Sequence, residues 1–159
     1  MIFTACKRGS EKKAEPGKIS REQLAEINRQ LMIKDRERII SYIERKDLDM
    51  KETGTGLWLS VIKKGRGSIS EGNRVKLDYT CRLLDGTLVY DSDKNGIMSF
   101  EVGRSDVPAG LNEGVKLLGE GSEAIFIMPA YLAYGLLGDN NKIPPRAILV
   151  YELEVISVN

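Results

Sequence analysis

The chain has 159 residues, 42% of them apolar, enough for one ordinary domain plus an appendage and for a core that needs no covalent staples. Its 24 basic and 23 acidic side chains nearly cancel, so nothing suggests a nucleic-acid stripe or a trap for acidic substrates, and shape and apolar contact are left to choose a partner. There is no histidine, so serine–histidine and cysteine–histidine catalysis are excluded and the commonest zinc ligand is absent.

Residues 7 to 19 are polar, charged and interrupted by Pro16-Gly17, the composition of a tether that takes in residues 1 to 19. Within them Thr4-Ala5-Cys6, small residues before a cysteine with a polar linker after it, is similar to the cleavage box of bacterial lipoproteins, although the charged start and long apolar run of a signal peptide do not precede it. Cys6 is therefore read in two ways, as a lipid-anchored residue or as an ordinary exposed cysteine. A bridge to Cys81 is not expected, given the distance in sequence and the unlike settings. No apolar run approaches the roughly 18 residues that a membrane span needs.

Ser20-Arg21-Glu22-Gln23 has the arrangement of a capping box and predicts a helix from Ser20 to about Lys46, in a helical segment of residues 20 to 50. At about 100° per residue, Leu24, Ile27 and Leu31 share one face, whereas Met32, Ile39 and Ile43 fall roughly a quarter turn away. That broken period speaks against a dimerising coil and for a helix docked on its own domain or lightly on a partner. Arg36, Glu37 and Arg38 are expected to form a solvated charged face.

Thr53-Gly54-Thr55-Gly56 reads as a turn rather than a phosphate loop, since no lysine and helix start follow it. Residues 57 to 62 are branched and aromatic and predict a strand, and Lys63 to Gly67 a plain basic turn. From Asn73 to Tyr90 two strand-like runs flank Asp85-Gly86, a two-residue hairpin signal. Another short strand is expected over 99 to 103. Leu111, Val115 and Leu118 recur at helical spacing and predict a brief helix closed by Gly119. Strands follow over 122 to 128 and 147 to 158. Many antiparallel strands with one short covering helix define an α+β domain, here residues 51 to 159.

The stretch from Ala130 to Tyr151 carries the chemistry. It sets Tyr131, Tyr134, Tyr151 and Ile143 around a loop held between Gly135 and Pro144-Pro145, a composition suited to a small apolar cavity. No acid–base pair is visible in it. Tyr134 and Tyr151 join an apolar ring to a hydroxyl that can reach a carbonyl, which suits binding an amide and twisting it.

Over about residues 56 to 159 the chain resembles the FKBP-type peptidyl-prolyl cis-trans isomerases. The resemblance rests on collinear motifs: Asp78-Tyr79-Thr80, Asp85-Gly86, Tyr90-Asp91-Ser92, Val107 to Leu111, Gly121, Ala133-Tyr134-Gly135, Ile143-Pro144-Pro145 and Leu149 to Leu153. It implies a curved antiparallel sheet wrapped across one short helix, with a pocket between them that needs neither cofactor nor metal. By motif position Tyr79, Tyr90, Met98 and Tyr151 would line the walls, Leu111 the floor, and Val107 and Ile143 the rim, with Pro108 also among the substrate-binding positions. Tyr134, Asp91 and Tyr79 would be the catalytic polar groups, with Tyr134 presenting its hydroxyl to a bound carbonyl.

Three positions depart from the family pattern. Leu111 stands where many members have tryptophan, Met98 where an aromatic is common, and Pro108 where a main-chain N–H usually meets a bound carbonyl. Proline has no such donor, which counts against tight macrolide binding. The implied partners are proline-containing polypeptides and no nucleic acid, with membrane contact only through a lipid anchor at Cys6. The whole chain also resembles gliding-motility-type envelope lipoproteins, which implies the periplasm or outer membrane; without an anchor the expectation is cytoplasmic. A non-catalytic binding or scaffold module of an envelope assembly stays open as the alternative, and loss of residues 1 to 50 is expected to spare turnover but not scaffolding.

Overall fold

The computed structural model describes residues 19–104 and 107–159, so Cys6 and all but the last residue of the expected tether lie outside the described residues. Helix α1 spans Arg21–Lys46. Its capping box is reciprocal: Ser20 Oγ accepts the Gln23 N–H at 3.1 Å and the Gln23 side chain accepts the Ser20 N–H at 2.9 Å. Asp47, in the left-handed region at φ 51°, ends it, with Arg45 and Lys46 in the last turn complementing the helix dipole.

The strands are β1 (Lys51–Glu52), β2 (Trp58–Lys63), β3 (Arg74–Leu83), β4 (Leu88–Asp91), β5 (Met98–Glu101), β6 (Glu123–Met128) and β7 (Leu149–Val158). Two short helices, α2 (Ser92–Asn95) and α3 (Ala109–Val115), complete the described elements, with one 3-10 turn at Ala130–Leu132. Every pairing is antiparallel, in the order β1-β2-β6-β7-β3-β4, and β5 continues the β4 edge along the other half of β3. The long β3–β7 ladder, from Val75 opposite Val158 to Leu83 opposite Leu149, is the spine.

Each face of this sheet is covered, which explains why Ile148-Leu149-Val150-Tyr151 is apolar without alternation. One face packs on α3 through Leu111 and Val115 with Phe126, Met128, Leu149, Tyr151 and Leu153. On the other face Ile39 of α1 is buried against Ile127, Ile148 and Val150, flanked by Tyr42, Ile43 and Trp58. The helix therefore docks in cis along its second half, while Leu24, Ile27, Met32 and Ile33 stay exposed.

Several sequence expectations need correction. Arg36 is no mere solvated charge: its guanidinium makes a forked pair with Glu52 of β1 at 2.7 and 3.0 Å and lies 5.7 Å from the centre of the Trp58 ring. Asp85-Gly86 does not make a two-residue hairpin. The Gly86 N–H bonds to Leu83 O at 3.0 Å, the Leu83 N–H to Thr87 O at 2.9 Å, and Gly86 has φ 92°, a turn followed by a glycine bulge. Lys63 to Gly67 is more than a basic turn, because Arg66 pairs with Glu120 through reciprocal backbone bonds of 2.8 and 2.9 Å. Gly65 and Gly119 let those two backbones meet, so Gly119 serves a crossing rather than a helix end. Finally, α3 begins two residues before Leu111, at Ala109.

Candidate functional site

Four strands, one helix start and one loop converge on the α3 side. β3 supplies Tyr79, β4 supplies Tyr90 and Asp91, and β5 supplies Met98; Val107, Pro108 and Leu111 come from the entry to α3, Tyr134 and Ile143 from the loop after β6, and Tyr151 from β7. In one packed cluster Leu111, Ile143 and Tyr151 are buried, and Tyr79, Tyr90, Met98, Val107 and Tyr134 are half-buried around them. The Tyr79 and Tyr151 rings stack with centroids 6.0 Å apart and planes 28° from parallel.

The close seat of α3 explains the depth at which Leu111 lies. Its packed face is Gly110, Leu111, Gly114 and Val115, and a β-carbon on Gly114 would run into the Phe126 ring, one on Gly110 into Met128. Glycine at both places brings the helix axis down onto β6. Pro108 is buried at the N-terminus of α3, and its carbonyl accepts the Leu111 and Asn112 N–H groups at 3.0 and 3.2 Å. It offers no N–H to a ligand.

The polar tips are tyrosine hydroxyls and one thiol. Burial pushes the Tyr134 hydroxyl up, and burial likewise holds Tyr151 well above the usual phenol range, beside Cys81 and Tyr134. Burial pushes the Cys81 thiol up to about 11, with a hydrogen bond from Tyr151 pulling the other way. Tyr79 is raised chiefly by burial, with Cys81, Tyr134 and Asp91 adding to it. All these groups are protonated at neutral pH, so they present donors and no base. Among the described residues Cys81 forms no disulfide, and it is buried in β3.

Asp91 is 6% exposed, and one of its oxygens accepts the Lys94 N–H at 2.8 Å, capping α2. That is the local role open to any aspartate before a helical turn. Of the three tyrosines expected around the loop, Tyr131 is not part of this cluster. Its hydroxyl donates to Thr55 O at 2.8 Å and the residue is 45% exposed, because the 3-10 turn points it toward the Thr53–Gly56 segment.

Asp139 is the residue that sequence reasoning missed. One of its oxygens accepts the Asn141 and Ile143 N–H groups at 2.9 and 2.8 Å, and the other receives the Tyr90 hydroxyl in a short bond. Asn141 donates to the same Tyr90 oxygen at 3.2 Å, and Lys142 stands 5.2 Å from the centre of the Tyr90 ring. Burial works to raise the Asp139 carboxyl, but the Tyr90 hydroxyl and the two loop N–H groups outweigh it and hold the group below its usual value. Asp139-Asn140-Asn141 after Gly138 carried a signal, since aspartate bonds the backbone two residues on in such turns.

A family model described as FKBP-type peptidyl-prolyl cis-trans isomerase matches residues 65–156. The "Probable FKBP-type peptidyl-prolyl cis-trans isomerase FkpA" of Neisseria meningitidis is 39% identical over 112 residues, 69% of this chain and 40% of that protein. The peptidyl-prolyl cis-trans isomerase Fkbp12 of Drosophila melanogaster is 35% identical over 106 residues, 65% of this chain and 98% of its own length. The crystal structure of FkpA from Escherichia coli superposes with a TM-score of 0.66 at 25% identity, covering 89% of this chain and 74% of that one. Against the first bacterial relatives the chain spans only 40 to 59% of their length.

Proposed function

Because the chain belongs to the FKBP-type peptidyl-prolyl cis-trans isomerase family, we propose that it catalyses rotation about X–Pro bonds of polypeptides bound in the cluster around Leu111 and Tyr151. The uncatalysed rotation crosses a barrier of about 18–20 kcal/mol because amide resonance is lost midway, and it takes tens to hundreds of seconds. No nucleophile is needed. The planar amide is the more dipolar form, so moving it from water to a wall of Tyr79, Leu111, Ile143 and Tyr151 costs it more than it costs the twisted form. The Tyr134 hydroxyl donates to the neighbouring carbonyl and fixes which side of the bond turns.

The observation that carries this reading is an apolar cluster whose tyrosine tips are neutral donors, while the two nearby carboxylates are already engaged, Asp91 in capping α2 and Asp139 in the Tyr90 clasp. Such a surface can select a twisted amide without forming a bond to it. The test uses the whole chain at micromolar concentration on a peptide enriched in cis-prolyl isomer. Turnover above the spontaneous rate supports the proposal, and a folded protein that gives none refutes it.

Pro108 favours a second reading, a binding or scaffold module that holds proline-bearing chains without turning them over, because the donor lost there is one a bound carbonyl would use. The same loss argues against tight macrolide binding. For location we propose the cell envelope, supported by the Thr4-Ala5-Cys6 pattern in the sequence. Mass spectrometry of the native N-terminus decides it: an acylated Cys6 supports the envelope, an unmodified thiol removes that support.

A further inference from the structure

The loop that begins just after Tyr134 and carries Ile143 runs from Gly135 to Arg146. On the side of the cluster it is tied to β4 by Asp139 and Tyr90. Its closing end is held differently. Arg146 has φ 58°, a conformation uncommon for a residue with a β-carbon, and its N–H bonds to Gly135 O at 2.9 Å, which shuts the loop. Its guanidinium then reaches out of the family domain altogether, to both carboxylate oxygens of Asp35 at 3.4 Å.

Asp35 belongs to α1, outside residues 65–156. Its side chain is 6% exposed and that of Arg146 34%, so the carboxylate sits where an uncompensated charge is costly. Arg38, one turn on, stands 3.8 Å away and is the weaker of its two cationic neighbours by distance. Between helix and loop lies an apolar groove of about 300 Å³, with Leu31, Met32, Tyr131 and Leu136 among its walls, so close packing does not fill the space beside this pair.

We propose that Asp35 is a positioning residue for the prolyl site: through Arg146 it holds the closing end of the 135–146 loop, and so the places of Tyr134 and Ile143. The proposal rests on the isomerase reading of that site. With Asp35 neutral, Arg146 keeps its uncommon backbone conformation without its main anion, the loop end loosens, and the substrate meets a less ordered rim. The effect falls on binding more than on the rotation step, because a loosened rim must be ordered whenever a chain is taken up, whichever form its prolyl bond has.

The test uses the whole chain with Asp35→Asn and Arg146→Gln, and Arg36→Ala as control. Arg36 holds α1 to the domain through Glu52, and among the described residues its hydrogen bonds and ion pairs do not reach the loop. Two readouts are taken, KM and kcat on a prolyl peptide and amide hydrogen exchange over residues 135–147. Asp35→Asn is expected to lower kcat/KM about three- to tenfold, mainly through KM, the size of effect that loss of one ordinary hydrogen bond has, and to speed loop exchange while the β3–β7 ladder stays protected. Arg146→Gln gives the same pattern and stands in if Asp35→Asn does not fold; Arg36→Ala moves neither readout. Wild-type KM and loop exchange in the Asp35 variant overturn the proposal, as does an Arg36 variant that matches it, since helix docking in general would then be responsible. If the wild type shows no turnover the isomerase reading fails, and the exchange comparison still decides whether Asp35 orders the loop.

Discussion

Tyr134 and Asp139 stand within five positions of each other and do opposite electrical work. Tyr134 is kept neutral, chiefly by burial, so that it can donate to a carbonyl. Replacing it with phenylalanine removes one neutral hydrogen bond, and kcat/KM on a prolyl peptide should fall by the equivalent of about 0.5–1.5 kcal/mol with the melting temperature nearly unchanged. Asp139 is kept ionised, against its own burial, by Tyr90 and by the Asn141 and Ile143 N–H groups. A carboxyl whose folded value lies below its unfolded one stabilises the fold fully above the unfolded value, and that contribution is lost as pH falls through the folded value. The wild type should therefore lose more melting temperature than Asp139→Asn on acidification from about pH 5 to about pH 2. Equal losses would mean that the Tyr90 clasp does not couple to folding.

At the scale of elements, the contact between α3 and β6 sets the depth of the site. Alanine at Gly114 adds a β-carbon against the fully buried Phe126 ring, whereas at Gly110 it meets the flexible Met128 thioether. Overpacking costs about 1–3 kcal/mol and the better helix propensity of alanine returns at most about 1 kcal/mol. Gly114→Ala should thus melt at a lower temperature than the wild type, and lower than Gly110→Ala. Which elements were legible follows from how local their causes are. The α1 cap was readable because Ser20 and Gln23 satisfy each other within one turn. The hairpin was misjudged because Asp-Gly fits both a two-residue turn and a turn with a bulge, and pairing across the strands decides between them. Gly65 and Gly119 were opaque for a stronger reason: each matters only because the other's strand of chain passes it, 54 residues away in sequence.

For the whole molecule the sheet-on-helix architecture and the clustering of Tyr79, Leu111, Ile143 and Tyr151 were legible, since collinear motifs and apolar periodicity both encode which face is buried. The role of α1 was not. Its second half supplies Ile39 to the outer core and Asp35 to the loop, contacts that no period within the helix announces. Removing residues 1 to 50 therefore takes away part of the core, which is why the decisive experiments keep the chain whole. Leu111, the floor of the site, is where the proposed catalysis stands or falls. In exchange NMR of a prolyl peptide with a catalytic amount of protein, the wild type should accelerate cis–trans interconversion, and Leu111→Lys, with its fold verified by the same spectra, should leave the peptide at its spontaneous rate. A folded Leu111→Lys protein that still accelerates the exchange like the wild type would contradict the assignment of catalysis to this cluster.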